Sequence, residues 1–509
     1  MIRKLALGTA AGTGVAGALY YTQTQRQPPP PITEPKKRLP KYELPTKVKY
    51  LLIGGGASSF GACRGIRAVD PKAQVLIVGR EDYLPYMKAP LSKEMWKSGA
   101  DKDRLLFKQW NGDYRSILFE KPDYFANLDS LKQPDERRVA FVGGLSAVKV
   151  DPVEQKVFFD DGSSISYEQC LITSGTEARM HPKLANLPGI EKHLLTVTSV
   201  EDFKKLQQSA CEDESIAVLG SGTVASELAY SMSDFAKRSN AKLKVTQIFP
   251  EAGNLSSMVP EYLAKWLTKQ LISEGINVIA KADIASAEIV AKKLHLHLTS
   301  GQRIVVDKVV LADDLRPDVK LAKASGLEID PQNGGIVVNS ELAARSNLYV
   351  AGDASSFFDP RLGRRRFEGH EHAVSTGTLA GRNMAGARKP FSKQTLMWSD
   401  IGEIVNLEGI GLLDPSLKTV SAFFPDSPEE NTDFEGKITK GVVFYKNDAD
   451  VVVGILLCNV FGKASTARRI ISEQKPSLDL KEVAKLFYEK YSPEEEPEEA
   501  TIPNPVTES

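Results

Sequence analysis

Cysteine is scarce in this sequence, and what there is stands apart. The chain of 509 residues holds four: Cys63, Cys170, Cys211 and Cys458. No two form a Cys-x-x-Cys or similar close pair. That spacing excludes a disulfide scaffold, a cysteine-ligated zinc site and a dithiol redox centre. All four read as small buried apolar residues. An excess of one charge is missing too. Lys plus Arg equals Asp plus Glu at 65 each, so the formal net charge is zero. A dedicated nucleic-acid binder usually carries a basic excess, and this balance argues against one. The N-terminus lacks acid until Glu34. Its uncharged Ala/Gly-rich run, Leu5 to Tyr21 in "MIRKLALGTAAGTGVAGALYY", follows Arg3 and Lys4 and is short for a membrane span. A secretory signal is one reading; a mitochondrial targeting segment kept as an inner-membrane anchor is the other.

What is present points to a globular protein of roughly two to four domains. "RQPPPPITEPKKRLPKYELP" reads as an extended linker and "SPEEEPEEATIPNPVTES" as an acidic disordered tail. Between them lie two glycine turns in order. "VKYLLIGGGASSFG" (48–61) has an apolar run, Tyr50 to Ile53, then Gly54, Gly55 and Gly56, then a helical pattern from about Ser58. This is the strand–turn–helix of a dinucleotide fold, whose glycines let backbone N–H groups approach a pyrophosphate. Ser59 takes the place of the third glycine of G-x-G-x-x-G. The next strand, "AQVLIVG", is followed by Arg80 and Glu81, and Glu81 is the candidate for a ribose diol. The second copy, "ESIAVLGSGTVASELAYSM", predicts a strand over 215–219, then Gly220, Ser221, Gly222 and Thr223, with Ala225 in the third-glycine place. "KVTQIFPE" then ends in Glu251, a carboxylate that favours NAD(H) over its 2′-phosphorylated form. One such turn is a weak signal; two in order, each with an acidic strand end, are a strong one. "RSNLYVAGDASSF" adds Asp353 after a third strand.

The stretch "GRRRFEGHEH" (363–372) admits three local readings: a basic DNA patch, a metal site, or the rim of a cofactor pocket. His370 and His372 are two apart, so at a helix start they point in different directions, and no cysteine or third histidine is near.

Longer stretches are similar to the apoptosis-inducing factor family of mitochondrial flavoproteins, within the glutathione-reductase-like α/β fold. They include "LPYMKAPLSKEMW", "LLFKQWNGDYRSI", "SYEQCLITSGTEAR", "GLEIDPQNGGIVVNSELAARSNLYVAGDASSFFD", "LGRRRFEGHEHAVSTGTLAGRNM", "MWSDIG" and "GVVFYKNDADVVVGILLCNVFGKASTARRII". The resemblance is collinear over about 48–490 and implies a layout. A targeting and linker segment covers 1–47. An FAD-binding domain, 48–177 and 316–394, is split by an NAD-binding domain, 178–315. A C-terminal, dimerisation-like α/β domain spans 395–490, interrupted by the Pro- and acid-rich "FFPDSPEENTDFEGK", and the tail is 491–509.

By resemblance, FAD would meet Gly54, Gly55, Gly56, Ala57, Ser58, Glu81, Lys88, Lys93, Val148, Asp353, Gly369 and His370. Lys93 would stand near the reacting edge of the flavin; a solvated surface lysine is the plain alternative. NAD(H) would meet Gly220, Ser221, Gly222, Thr223, Glu251, Glu368, Trp398, Glu408 and Asn459. Trp398 would stack on a nicotinamide or flavin ring, or be an ordinary buried tryptophan. Lys93, Glu368 and Trp398 are the catalytic candidates.

The implied activity is hydride transfer from NADH to FAD and onward to an acceptor. The implied biology is respiratory-chain maintenance through an intermembrane-space import oxidoreductase, attachment to the inner membrane, and a redox-dependent homodimer. On apoptotic release, nuclear entry with DNA and nuclease partners is implied. "PKKRLPK" and "GRRR" would serve DNA, although solvated charge is the commoner explanation of such runs. Rival readings are a ferredoxin-type reductase and a flavin-bearing interaction protein. The chain departs from the family pattern at three places: Asp314 replaces a glycine in "LADDLRPD", Gly369 replaces the first histidine after the glutamate, and Thr198 replaces an arginine. All three bear on nicotinamide handling.

Overall fold

The computed structural model describes residues 42–109, 111–132, 138–212, 214–312, 315–424 and 440–488. The targeting segment, most of the linker, Asp314, most of the Pro- and acid-rich loop and the acidic tail lie outside the described residues.

The first apolar run becomes the central strand of a mostly parallel sheet. Lys47–Ile53 pairs in parallel with Gln74–Val78 on one side and Ser164–Ile172 on the other. Arg138–Val142 and Leu348–Val350 extend the sheet outward. Leu51, Leu52, Leu76 and Ile77 are fully buried, as residues covered on both faces of a sheet must be. Gly54 ends the central strand at φ +118, and a Cβ there would sit 2.4 Å from the Thr173 carbonyl oxygen. Helix α1 (Ala57–Val69) follows the turn. It packs on a helix far away in sequence, His370–Met384. A Cβ on Gly61, Gly65, Gly377 or Gly381 would lie within about 2.6 Å of a backbone carbonyl of the opposite helix. The two backbones touch because side chains are absent there.

The second unit is a five-stranded parallel sheet, in the order Leu194–Thr196, Lys308–Leu311, Ser215–Leu219, Lys244–Ile248 and Asn277–Ile279. Helix α2 (Thr223–Ser239) leaves the second glycine turn. A three-stranded antiparallel layer, Ile284–Val290, Lys293–Leu298 and Arg303–Val306, accompanies it. The chain enters and leaves this unit through one antiparallel ribbon, Thr176–Ala178 against Leu315–Pro317.

The third unit is a five-stranded antiparallel sheet from Leu396–Ile401 to Val452–Cys458, with helices Ala464–Glu473 and Leu480–Tyr488 on it. We label the helix His370–Met384 α3. The cysteine expectation needs one correction. Cys63, Cys170 and Cys458 are buried, but Cys211 is exposed, because it ends the helix Val200–Cys211 where the amphipathic pattern runs out. No helix among the described residues is long and apolar enough to cross a membrane.

Candidate cofactor site

A cavity of about 930 Å³ opens where the three units meet. One end is the first glycine turn: Gly54, Gly55, Gly56, Ala57 and Ser58 line it, with Glu81, Lys88 and Val148 nearby. The middle is formed by Lys93, Asp353, Glu368, Gly369 and His370. Thr223 at the head of α2, Thr198 and Trp398 of the third unit close the other end. Gly220, Ser221, Gly222, Glu251, Glu408 and Asn459 do not line this cavity. The first three form the second turn. Glu408 stands across from Trp398 in the antiparallel register. Burial raises its carboxyl pKa. Asn459 uses its side-chain oxygen to accept from the Asn406 N–H at 2.8 Å.

The strongest electrostatic feature lies beneath the middle. Lys93 and Glu227 form an ion pair at 2.7 Å with side chains only 6% and 2% exposed. Ser92 and Ser399 donate to the two oxygens of Glu227 at 2.7 and 2.8 Å. One carboxylate therefore joins all three units. Lys93 also stands 5.0 Å from the centre of the Trp398 ring, a cation–π distance. Lys93 is thus no solvated lysine, and Trp398 is no buried tryptophan: 40% of it is exposed.

Asp353 sits in the single turn Gly352–Ala354 and accepts from the Gly369 N–H at 3.3 Å. Burial, and then the Glu368 carboxylate, push its pKa up to about 6. Arg366 ties this corner together, donating to the Asp353 carbonyl at 2.8 Å and to Glu368 Oε1 at 2.6 Å. His370 stacks on Phe119 at 5.9 Å, and burial holds its pKa below the usual imidazole value. Its neighbour two residues on faces elsewhere. His372 is fully buried among Phe357, Phe367 and Phe391, and burial depresses its pKa to about 3. Among the described residues no group of three or more His, Cys, Asp or Glu could hold a metal ion.

The arginines of "GRRR" bond to backbone carbonyls, with Arg365 and Arg366 partly buried and Arg364 still exposed. Arg364 donates to the carbonyls of Val338 and Ser356, Arg365 to that of Gly411, and Arg366 as above. Their charge supports backbone turns rather than a surface stripe.

Tyr86, Glu227 and Ser399 were missed by the sequence reading. Tyr86 donates to Glu81 Oε2 at 2.7 Å and accepts from the Val200 N–H at 3.3 Å. Glu227 had a readable signal. It is an acid in a helical run rich in apolar residues, of which Ala225, Leu228, Ala229 and Met232 are fully buried, and it is itself only 2% exposed. An acid on an apolar face needs a partner.

The cavity residues fit a flavin dinucleotide. The cradle at Gly54 and Gly352 cannot hold side chains: a Cβ on Gly352 would lie 2.2 Å from Ser58 Oγ. Tyr86 holds Glu81 by one oxygen at the cavity wall, and none of the four cysteines lines the cavity.

Comparison with known proteins agrees with this geometry. A family model described as pyridine nucleotide-disulphide oxidoreductase matches residues 48–377. A second, described as apoptosis-inducing factor, mitochondrion-associated, C-term, matches 380–435 and 425–473. An apoptosis-inducing factor 1, mitochondrial, from Dictyostelium discoideum is 34% identical over 91% of this chain and 85% of its own. The chain belongs to the apoptosis-inducing factor family. A putative apoptosis-inducing factor 1, mitochondrial, from Drosophila melanogaster is 40% identical over 87% of this chain. The chain spans 66% of the length of that relative. The family fold extends to redox partners of other systems. Putidaredoxin reductase, solved in covalent complex with putidaredoxin, superposes with a TM-score of 0.70 at 19% identity, over 87% of this chain and 99% of its own. The family is one of flavoproteins that use FAD and NAD(H).

Proposed function

We propose that the chain is an FAD-carrying NADH:acceptor oxidoreductase of the mitochondrion. The observation that carries this is one continuous cavity. It runs from the first glycine turn, past a buried Lys93–Glu227 pair, to Thr223 at the head of α2 and the exposed face of Trp398. Bound FAD would supply the hydride-accepting ring, so no acid–base residue is needed for that step.

The chain's own residues do the rest. The first turn, Glu81 and Lys88 would hold the adenosine and pyrophosphate half. Lys93 would offer a cation to the negative charge of a reduced ring, and Glu227 keeps that cation at one position. Trp398 offers a face for a second ring. Purified protein should be yellow, and NADH should bleach it under anaerobic conditions. Colourless folded protein sinks the flavin claim.

A second reading is a flavin-bearing interaction protein with little NADH turnover. Gly369 favours it, because no ring stands there between cofactor and protein, and so does Asp314 on sequence grounds. If NADH bleaches slowly, Asp314→Gly should speed bleaching severalfold. No change with that variant would clear Asp314.

Mitochondrial location is suggested by the names of the two factors described above. The import partner, the redox-dependent homodimer, the membrane attachment and the death-linked nuclear role with DNA and a nuclease stand as proposals from resemblance. With Arg365 and Arg366 partly buried and engaged by Gly411, Asp353 and Glu368, DNA contact would draw on exposed Arg364 and other basic residues. Its affinity should fall steeply between 50 and 200 mM salt, by about 10³-fold or more for six phosphate contacts.

A further inference from the structure

The second glycine turn rests on a scaffold that the cavity does not use. Gln247, fully buried on the strand Lys244–Ile248, donates from Nε2 to the Gly220 carbonyl at 2.8 Å. Its Oε1 accepts from Asn254 Nδ2 at 3.0 Å, and that same nitrogen donates to Ser226 Oγ at 2.9 Å. Thr268 Oγ1 accepts from the Asn254 N–H and donates to Asn254 Oδ1, both at 2.8 Å. Ser226 Oγ donates to the Ser221 carbonyl at 3.2 Å, and the Leu255 N–H reaches that carbonyl at 2.8 Å. Gln247, Asn254 and Ser226 are all 0% exposed.

Such a relay is a poor way to fill space. Buried amides and hydroxyls gain little over apolar side chains of the same size, and each demands a partner. Val218, Val245 and Leu267 show that apolar filling is available in the same unit. What the relay does is orient two peptide planes. A trans peptide is planar, with its oxygen and hydrogen on opposite edges. The carbonyls of Gly220 and Ser221 both face the relay. The N–H groups of the same planes, from Ser221 and Gly222, therefore face the other way, at the start of α2. Successive N–H groups aimed to one side at a helix start make an anion-binding concavity. Gly220 at φ +121 permits the turn.

We propose that Gln247, backed by Asn254 and Ser226, is a positioning residue that sets the Gly220–Ser221 peptide for the pyrophosphate of a dinucleotide. This rests on the reading of NADH as reductant.

The test uses the flavin-loaded full chain and ADP-ribose, which carries the pyrophosphate but no hydride. Gln247→Met keeps the volume and removes both bonds. Calorimetry should show ADP-ribose binding about tenfold weaker, the loss expected for a misplaced charge-assisted bond. Adenosine, which lacks the pyrophosphate, should bind as before. The KM for NADH should rise by a similar factor, while the limiting rate of bleaching changes by less than about twofold. Ser226→Ala should weaken ADP-ribose by about twofold to threefold, and it carries the test if Gln247→Met does not fold.

Unchanged ADP-ribose binding in the variants would overturn the proposal. So would equal weakening of adenosine, which would signal general loosening. A wild-type chain that neither binds ADP-ribose nor bleaches with NADH would overturn the reductant reading and this proposal together. A wild type that does both, beside unaffected variants, would overturn the positioning role alone.

Discussion

The two glycine turns are built alike and braced differently. The first is pinned by hydroxyls: Ser59 Oγ and Thr173 Oγ1 lie 2.8 Å apart, and Thr173 donates to the Ile53 carbonyl at 2.9 Å. Its carboxylate, Glu81, already has Tyr86 on one oxygen. The second is pinned by buried amides, and its carboxylate is left in want. Glu251 Oε2 is buried with no hydrogen-bond partner among the described residues. A buried carboxylate oxygen without a donor costs free energy until something supplies one. The first half is therefore organised before its ligand arrives, as suits a group that stays. The second keeps an unmet demand, as suits a ligand that comes and goes.

Four substitutions sharpen or break that contrast. The largest effect should come from the pair that joins the halves. Lys93→Ala strands the Glu227 charge and should destabilise by about 3–5 kcal/mol, whereas Lys93→Met with Glu227→Leu should recover most of it. Urea midpoints measure both; equal losses would mean the pair is not a joined unit. Next, Gly54→Ala forces a Cβ against the Thr173 carbonyl and should remove about 2–3 kcal/mol along with flavin retention. Normal yellow protein from this variant would show that the first half is not pre-organised.

Third, the cavity carboxyl of Asp353 has a raised pKa in the fold, about 6. The folded state then holds a proton that the unfolded chain releases, so this group's contribution to stability falls as pH rises from about 4 to about 6. Above that window the penalty is complete. Asp353→Asn should stabilise the flavin-free protein by about 1–3 kcal/mol at pH 7 and by little at pH 4. A variant advantage that does not vary with pH would refute the burial argument. The smallest effect is Tyr86→Phe, which frees Glu81. Flavin release should speed with a loss of about 1 kcal/mol of binding, while ADP-ribose affinity at the second half stays put. A loss at the second half instead would erase the contrast.

Some of this was legible in the residues and some was not. Gly54 and Gly220 stand out because a tight turn with positive φ tolerates little else. The buried runs "YLLI" and "VLIV" declare parallel strands by being apolar without alternation. Cys211 was misjudged because residue type cannot tell the last turn of a helix from its middle. The Lys93–Glu227–Ser399 junction brings together positions up to 306 residues apart in number (399 minus 93), and no local pattern records such a meeting. The same holds for Gln247 and Gly220. Each side chain there is an ordinary polar residue until the strand and the turn are set side by side.

The glycine contact between α1 and α3 has a consequence for how the chain is made. One helix ends at Val69 and the other starts at His370, so the first cannot find its partner until some three hundred further residues have left the ribosome. Until then its close-packing face has nothing to cover it. The inserted unit, with both its ends in one ribbon, can fold in the interval on contacts of its own. The first unit closes after the inserted one, by contacts of long sequence separation, which form slowly. Nascent chains stalled before His370 should therefore carry a folded nucleotide unit beside an open, protease-sensitive first half.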